Sequence, residues 1–595
     1  MTEAEWGPDA KPSRGEPDHP ESPQLTAEID AVHLDEPLLG DERAWDAELA
    51  DLDAEAAEGE PKRAWPRLRR AVNRGGLTTI ERLRDGQAEL RDRTMGWVVT
   101  TVITVIAFAI RFVNLAYPNK LIFDETYYAK DAWTLLHFGY EKSWPKDINN
   151  AVVAGDVNSY ETAAEYVVHP PVGKWLIALG EQLFGMNSFG WRFMPLVFGT
   201  LLVFITIRLA RRLSRSTLIG GMAGVLLTLD GLAFVMSRTA LLDIFQAFFL
   251  VAGVACVVAD RDWYRGRLAD RLEALGIPDF GGRFGPVLWL RPWRLVAGLM
   301  FGLAIGTKWN SVFLLASMGV LSVLWDVGAR RLAGADWHSW LALLIDGIPA
   351  FVRMVLVAVV VYVGSWWGWL TSSGGYYRDW GATHLDHPWT VHLGEMWASF
   401  LHYQQEIFNF HTGDYINGVT HSYSSNPWGW LVLARPTGFD AVNGIKPGVD
   451  GCWATGEDTC LRVISAIGTP VLWWMAALAL VVGVIWWLGG RDWRFGVPVV
   501  AALSTYVPWL LTTAGRPLFF FYAITIIPFT VIVLAMVFGL ILGPADSPKR
   551  RRGAIIVGVA MALVAINFAY IYPVLTDQMM LYKDWLARMW LRSWI

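Results

Sequence analysis

From residue 95 onward, apolar stretches alternate with short polar turns, and most charges fall in the turns. A helix that crosses a bilayer needs about 20 largely apolar residues. Eleven segments meet or approach that length: 95–115, 191–210, 218–235, 240–259, 295–305, 311–325, 354–370, 464–488, 495–513, 518–542 and 553–572. Helices satisfy their own backbone hydrogen bonds in lipid, so the pattern predicts an all-α polytopic membrane protein. Two longer polar and aromatic stretches, 116–190 and 371–462, interrupt the series and are expected as loops.

Charge orients the series. Arg211, Arg212 and Arg215, the Arg-rich stretch 260–294, Arg330 with Arg331, Arg491 with Arg494, and Lys549 to Arg552 fall in alternate turns. The positive-inside rule then places these turns and the N-terminus in the cytoplasm, and an odd number of spans puts the C-terminus outside. The basic segment 62–94 is expected as a helix lying on anionic lipid. Residues 1–61 are acidic and poor in aromatics, which predicts a disordered cytoplasmic tail. Residues 573–595, with Trp585, Trp590 and Trp594, read as an external amphipathic tail. The first apolar run begins near Gly96, so no cleavable leader is expected. A hydrophobic content of 54 % with 33 tryptophans suits a membrane protein, and the net charge of −5 reflects the acidic tail. No phosphate-binding glycine loop and no nucleic-acid-binding pattern is present.

This topology gathers ionisable groups on the external face, which is where a functional site is expected. Asp124 and Glu125 follow the first span in FDETYY (123–128), where Phe123, Tyr127 and Tyr128 can hold the carboxylates beside the bilayer. Lys174 follows paired prolines in HPPVGK (169–174) and can either meet a phosphate or snorkel to a headgroup. Arg192 opens the second span, where a guanidinium can grip phosphate with two N–H groups or anchor the helix. Asp230, Arg238 and Asp243 surround an external hairpin, and an Asp–Arg pair that only joins helices suits them as well as substrate contact does. Lys308 sits where two short spans meet, sunk below the outer surface, and an ammonium there wants an anion. Arg516, beside the aromatic run 519–522, presents the same problem.

The loop 371–462 carries His384, His387, His392, His402, His411 and His421. Their spacing matches no HExxH or closed zinc pattern, so no cofactor is assigned and ligand spacing gives a divalent metal no support. Cys256 lies within a span, whereas Cys452 and Cys460 lie in the external loop, where an oxidising compartment favours a disulfide.

One carboxylate and several cations at an outer membrane surface suit glycosyl transfer from a lipid phosphate. The phosphate leaving group needs cations rather than an acid, and the acceptor hydroxyl needs a base. A single in-line displacement would invert the anomeric carbon.

Taken together, FDETYY, HPPVGK, SRTALLD (237–243), GLAIGTKW (302–309), HSYSSNPW (421–428) and RPLFFFYAITIIP (516–528) resemble, in order and across 95–572, the protein O-mannosyltransferases, above all their actinobacterial branch. The resemblance implies a GT-C glycosyltransferase fold that moves mannose from polyprenyl-phosphate-mannose to Ser or Thr of exported proteins. The reaction is then expected on the extracytoplasmic face of a bacterial plasma membrane. It further implies Asp124 as general base, Glu125 and Tyr128 as acceptor contacts, and Arg192, Lys308, Arg238, Arg516 and Lys174 as donor-phosphate contacts. His169, Asp243 and His421 are expected to support the site. Eukaryotic relatives carry a β-trefoil MIR domain in the long loop. The stretch 371–462 is too short for one, so the acceptor is expected directly from the protein translocation channel. Another GT-C enzyme acting on a glycan or lipid is the nearest alternative. A transporter or flippase fits less well, because no internal repeat is visible.

Overall fold

The structure, a computed structural model, describes residues 77–84, 92–511 and 515–595. The acidic tail 1–61 and much of the basic segment 62–94 lie outside the described residues.

Eight helices are long and apolar enough to cross a membrane: α1 (Arg93–Phe112), α2 (Ser188–Ser214), α4 (Asp243–Leu275), α6 (Trp309–Leu332), α7 (Asp336–Ser365), α8 (Pro470–Gly490), α9 (Trp493–Leu511) and α11 (Arg550–Leu575). Three shorter apolar helices complete the set: α3 (Thr217–Thr228), α5 (Pro292–Ile305) and α10 (Ile527–Leu542). Each expected span overlaps one of these helices, but three are cut short by breaks in the helix. After α3, Asp230 accepts from the Ala233 N–H at 2.8 Å and starts a separate helix, Gly231–Met236. After α5, Lys308 is extended at φ −150° and turns the chain into α6. Before α10, the chain runs as a 3-10 turn over Phe520–Thr525.

The core helix is α4, whose most apolar stretch is 83 % buried within the protein, against 22 % for α1. Phe198 of α2 packs there, edge to face, on its Phe245 and Phe249. The exposed apolar residues of α1, among them Val98, Val102 and Val105, suit a lipid-facing surface.

Several arginines of the basic turns are neutralised by carboxylates. Asp260 and Asp326 both accept from Arg291 and Arg294, at 2.5–3.2 Å, in a closed and buried network. Arg330 is bidentate to Asp346 at 2.6 and 2.9 Å, and Arg212 donates to Asp262 at 2.8 Å. The described part of the basic segment, helix Thr79–Arg84, docks on protein rather than lipid. Leu83 is fully buried in a cluster with Leu268 and Leu272 of α4, and Arg84 pairs with Asp270 and Glu273. An apolar seat on α4 explains the departure from a lipid-bound helix.

The fold is mostly rather than wholly helical. Strands β1 (Thr437–Ile445), β2 (Cys460–Ala466) and β3 (Met580–Leu581) form an antiparallel sheet in the order β1-β2-β3. β1 and β2 alternate polar and apolar residues over too few positions to have marked them against the membrane signal. The chain after α11 is only partly helical, with Tyr582–Arg588 followed by a turn that buries Trp594, whose indole donates to Leu433 O at 2.6 Å.

Asp230 ties three elements, since its other oxygen accepts from the Trp473 indole at 2.7 Å and the Thr469 N–H at 3.2 Å. It does not pair with Arg238. Asp230→Ala would orphan these donors, so thermal unfolding of the purified protein in detergent should show a loss of about 2–4 kcal/mol. An unchanged melting temperature would contradict this bracing role.

Candidate active site

The site is built from the segment that follows α1. Phe123 has a left-handed backbone, φ 47°, which a bulky residue adopts only when its surroundings over-determine it. Those surroundings are aromatic. Its ring stacks on Phe439 of β1 at 4.7 Å and meets Phe519 and Phe521 edge-on at 6.0 and 5.6 Å. The next residue, Asp124, precedes helix Glu125–Phe138, and that helix turns Glu125 and Tyr128 inward.

The two adjacent acids have opposite environments. Glu125 is fully buried and accepts from Arg192 through both oxygens, at 2.8 Å each. It also accepts the N–H groups of Ile122 and Ala240 at 3.1 and 3.0 Å. Arg192 donates its remaining N–H groups to the carbonyls of Leu115, Pro118 and Lys120. Both side chains are thus occupied by each other and by backbone groups, at the two positions where an acceptor contact (Glu125) and a phosphate contact (Arg192) were expected.

The Asp124 side chain makes no hydrogen bond or ion pair with any described residue. Burial pushes its carboxyl up to about 6, with Lys308 pulling it down and Asp243 adding to the rise. Lys308 donates to both oxygens of Asp243, at 2.9 and 2.8 Å, and lies 4.8 Å from the centre of the Tyr522 ring. Asp243 is the first residue of α4, so the core helix presents this carboxylate directly to the site. The helix Val172–Phe184 approaches closely here. A Cβ on Gly173 would lie 2.7 Å from the Leu242 side chain.

Arg516 donates to the His411 carbonyl at 3.4 Å, and its Nε is buried with no hydrogen-bond partner. His169 stacks between Tyr128 and His411, with ring centres 6.4 and 5.5 Å away. Burial and the nearby charges of Lys308, His411, Lys174 and Arg516 hold its imidazole well below the usual range, so it is neutral at pH 7. Tyr128 is buried beside Asp124 and Asp243, and its phenol is held well above its usual range. His421 sits at the aromatic rim, 4.9 Å from Phe519.

Two further expected cations are committed elsewhere. Lys174 is buried against Glu141, with Asp131 at 3.7 Å. Arg238 donates to the carbonyls of Arg111, Val113 and Asn114 at 2.5–2.9 Å, closing the end of α1. In this structure, then, Lys174 is paired with a carboxylate and Arg238 with backbone carbonyls, rather than gathered with Lys308 and Arg516. Cys452 and Cys460 are joined as a disulfide. Among the described residues, no group of three or more His, Cys, Asp or Glu side chains could hold a metal ion.

The sequence reading did not place His411 in the site. His411 had a detectable signal, for it lies on helix Glu395–Thr412, whose buried Phe400, Tyr403 and Ile407 recur at helical spacing toward it. Tyr403 fixes that face by exchanging hydrogen bonds at 3.1 Å with the backbone of Val167, two residues before His169.

A helical membrane bundle with an unpaired carboxylate facing cations at one end is the GT-C-like arrangement. Over 84 % of this chain and 93 % of the other, the fold matches a chain of the Saccharomyces cerevisiae protein O-mannosyltransferase Pmt1–Pmt2 complex bound to the sugar donor, with a TM-score of 0.59 at 12 % identity. The family models for dolichyl-phosphate-mannose-protein mannosyltransferase and for the C-terminal four-helix region of protein-O-mannosyltransferase match residues 101–269 and 396–594. The polyprenol-phosphate-mannose–protein mannosyltransferase of Mycobacterium tuberculosis is 37 % identical, over 84 % of this chain and 92 % of its own length. The namesake enzymes of Mycolicibacterium smegmatis and Corynebacterium glutamicum are 36 % and 33 % identical, covering 84 % and 83 % of this chain and 94 % and 92 % of theirs. The chain belongs to the protein O-mannosyltransferase family.

The structural assignment of Arg192 has a direct test. Arg192→Met leaves Glu125 charged, buried and unpaired, so unfolding in detergent should show a loss of about 3–5 kcal/mol. A variant of native stability with weakened donor binding would instead restore a phosphate role.

Proposed function

We propose that this enzyme transfers mannose from a polyprenyl phosphate to Ser or Thr hydroxyls of exported proteins, at the extracytoplasmic face of a bacterial plasma membrane. The observation that carries the mechanism is the contrast between the two acids. Glu125 is saturated with donors, whereas Asp124 is unpartnered and has its carboxyl raised to about 6. A base with a proton affinity just below neutrality is ionised at pH 7 yet can take a proton from an alcohol as it attacks.

In the step we propose, the acceptor oxygen forms its bond to the anomeric carbon while its proton passes to Asp124. The bond from that carbon to the phosphate oxygen breaks, and the electron pair leaves with the phosphate. Lys308 and Arg516 stabilise that growing charge, as the remaining cations with access to the site. Asp243 holds Lys308 in place, and neutral His169 adds a donor or acceptor without adding charge. Attack opposite the leaving group inverts the carbon, so a β-linked donor gives an α-linked product.

The charge pattern supports the orientation, with an Arg-rich end on the cytoplasmic side, eleven spans and an external C-terminus. An exported chain would then meet Asp124 from outside, delivered by the translocation channel.

Membranes carrying the enzyme should transfer label from polyprenyl-phosphate-mannose to a Ser/Thr-rich peptide. Asp124→Asn should lower kcat by about 10²–10⁴-fold with donor binding retained. Because the base works deprotonated, kcat/KM should fall about tenfold per pH unit below about pH 6 and be flat above it. Retained turnover in the variant would remove Asp124 as base, and a chelator arm tests for a metal. Failure with mannose but success with another lipid-phosphate sugar would identify a related glycosyltransferase.

Arg516→Gln removes a charge-assisted contact without disturbing any ion pair. The KM for the donor lipid should rise about ten- to a hundredfold with little loss of stability. An unchanged KM would take Arg516 out of phosphate binding.

A further inference from the structure

The first turns of α1 and the last turns of α2 meet at a charged surface well away from Asp124. Arg192, the partner of Glu125, lies near the start of α2, and Arg208 follows it sixteen residues later in the same helix, about 24 Å along the axis. The Arg208 guanidinium lies over the Trp97 indole of α1, 4.0 Å from the ring centre. Trp97 is 45 % exposed, and its ring also meets Phe204 of α2 at 6.3 Å. Arg93 comes one turn before Trp97 on α1 and so shares its face.

The arginines here differ in how they are compensated. Arg211 pairs with Asp92 at 3.0 Å, and Arg212 pairs with Asp262 at 2.8 Å. The side chains of Arg93 and Arg208 make no ion pair or hydrogen bond with any described residue. Arg208 is only partly buried. Its Nη1 is turned inward, whereas Nε and Nη2 stay open to the surroundings. The charges that act on it most strongly are those of Arg211, Arg212 and Arg93, all of its own sign. A guanidinium at the edge of a bilayer, flanked by like charges and lacking a carboxylate, draws an anion.

The rest of the face selects the kind of anion. From Trp97 toward the far end of α1, Thr101, Val105, Phe108 and Phe112 follow at helical spacing, all exposed. Positive charge at one end of an apolar strip complements a lipid with an anionic head, whereas a free phosphate makes no use of the strip. A zwitterionic headgroup would bring its own cation among these arginines. We propose that the surface formed by Arg93, Trp97 and Arg208 binds the headgroup of an anionic phospholipid, with an acyl chain along the exposed strip of α1. Arg208 donates to the phosphate oxygens through Nε and Nη2, Arg93 adds a second cation, and the Trp97 indole braces the guanidinium at the interface.

The test is native mass spectrometry of the full-length protein in a neutral detergent, titrated with phosphatidylglycerol or phosphatidylcholine. The wild-type protein should bind phosphatidylglycerol at least about tenfold more tightly than phosphatidylcholine. Arg208→Gln should abolish that preference, Arg93→Gln should reduce it, and Arg208→Lys, which keeps the charge, should retain most of it. Arg551→Gln, at an exposed arginine on a different helix, should leave it unchanged. Glycosyl transfer in the neutral detergent should be the same in Arg208→Gln as in wild type, so that the lipid is lost from a folded enzyme. Three results would overturn the proposal. The first is equal affinity of the wild-type protein for the two lipids. The second is an equal loss in Arg208→Gln and Arg551→Gln, which would reduce the effect to general charge attraction. The third is displacement of phosphatidylglycerol by millimolar inorganic phosphate, which would give the site to a free anion.

Discussion

The buried pair between Glu125 and Arg192 organises the end of the molecule that carries the chemistry. Two charges removed from water are tolerable only when their remaining hydrogen-bonding capacity is met. Here it is met from the loop after α1, from α2 and from the turn before α4, so one interaction gathers three segments. It also differentiates two neighbouring carboxylates. The Glu125 carboxylate is held by four donors, and that of Asp124, one residue earlier, by none among the described residues.

The same constraint sorts the cations. Lys174, Arg192 and Arg238 are each engaged by carboxylates or by carbonyls at a helix end, which is what burial near a membrane demands of a charge. Lys308 is held by Asp243 yet stays close enough to Asp124 and Tyr522 to act on both. Arg516 keeps a buried, unpartnered N–H. Five cations that look alike along the chain thus divide into three that hold helices and two that face the site. At the opposite end, Arg291 and Arg294 share Asp260 and Asp326, so the residues that signal topology also join α4, α5 and α6.

The β1–β2 hairpin packs against the site. Phe439 on β1 stacks on Phe123 and helps impose the left-handed turn before Asp124, while the Cys452–Cys460 disulfide closes the loop between the strands. A small sheet therefore bears on the geometry of the site.

By itself, the sequence determined the elements and the family likeness. Apolar helices follow from local hydrophobicity, so α1 to α11 each overlap an apolar run read from the chain, and the break at Lys308 was visible as a polar interruption, whereas the expected span 218–235 ran through the break at Asp230. The motif FDETYY marked the loop of Asp124 because a short stretch contains all of its own residues. Only the tertiary structure decided which charges are free. Whether Arg192 binds phosphate or Glu125 depends on a partner 67 residues away, and Lys308 finds Asp243 across 65 residues. Hydrogen-bond saturation is a property of three-dimensional neighbours, and no local pattern encodes it. His411 illustrates the middle case, its helix legible from periodicity and its neighbourhood with His169 fixed only when Tyr403 docks on the Val167 backbone.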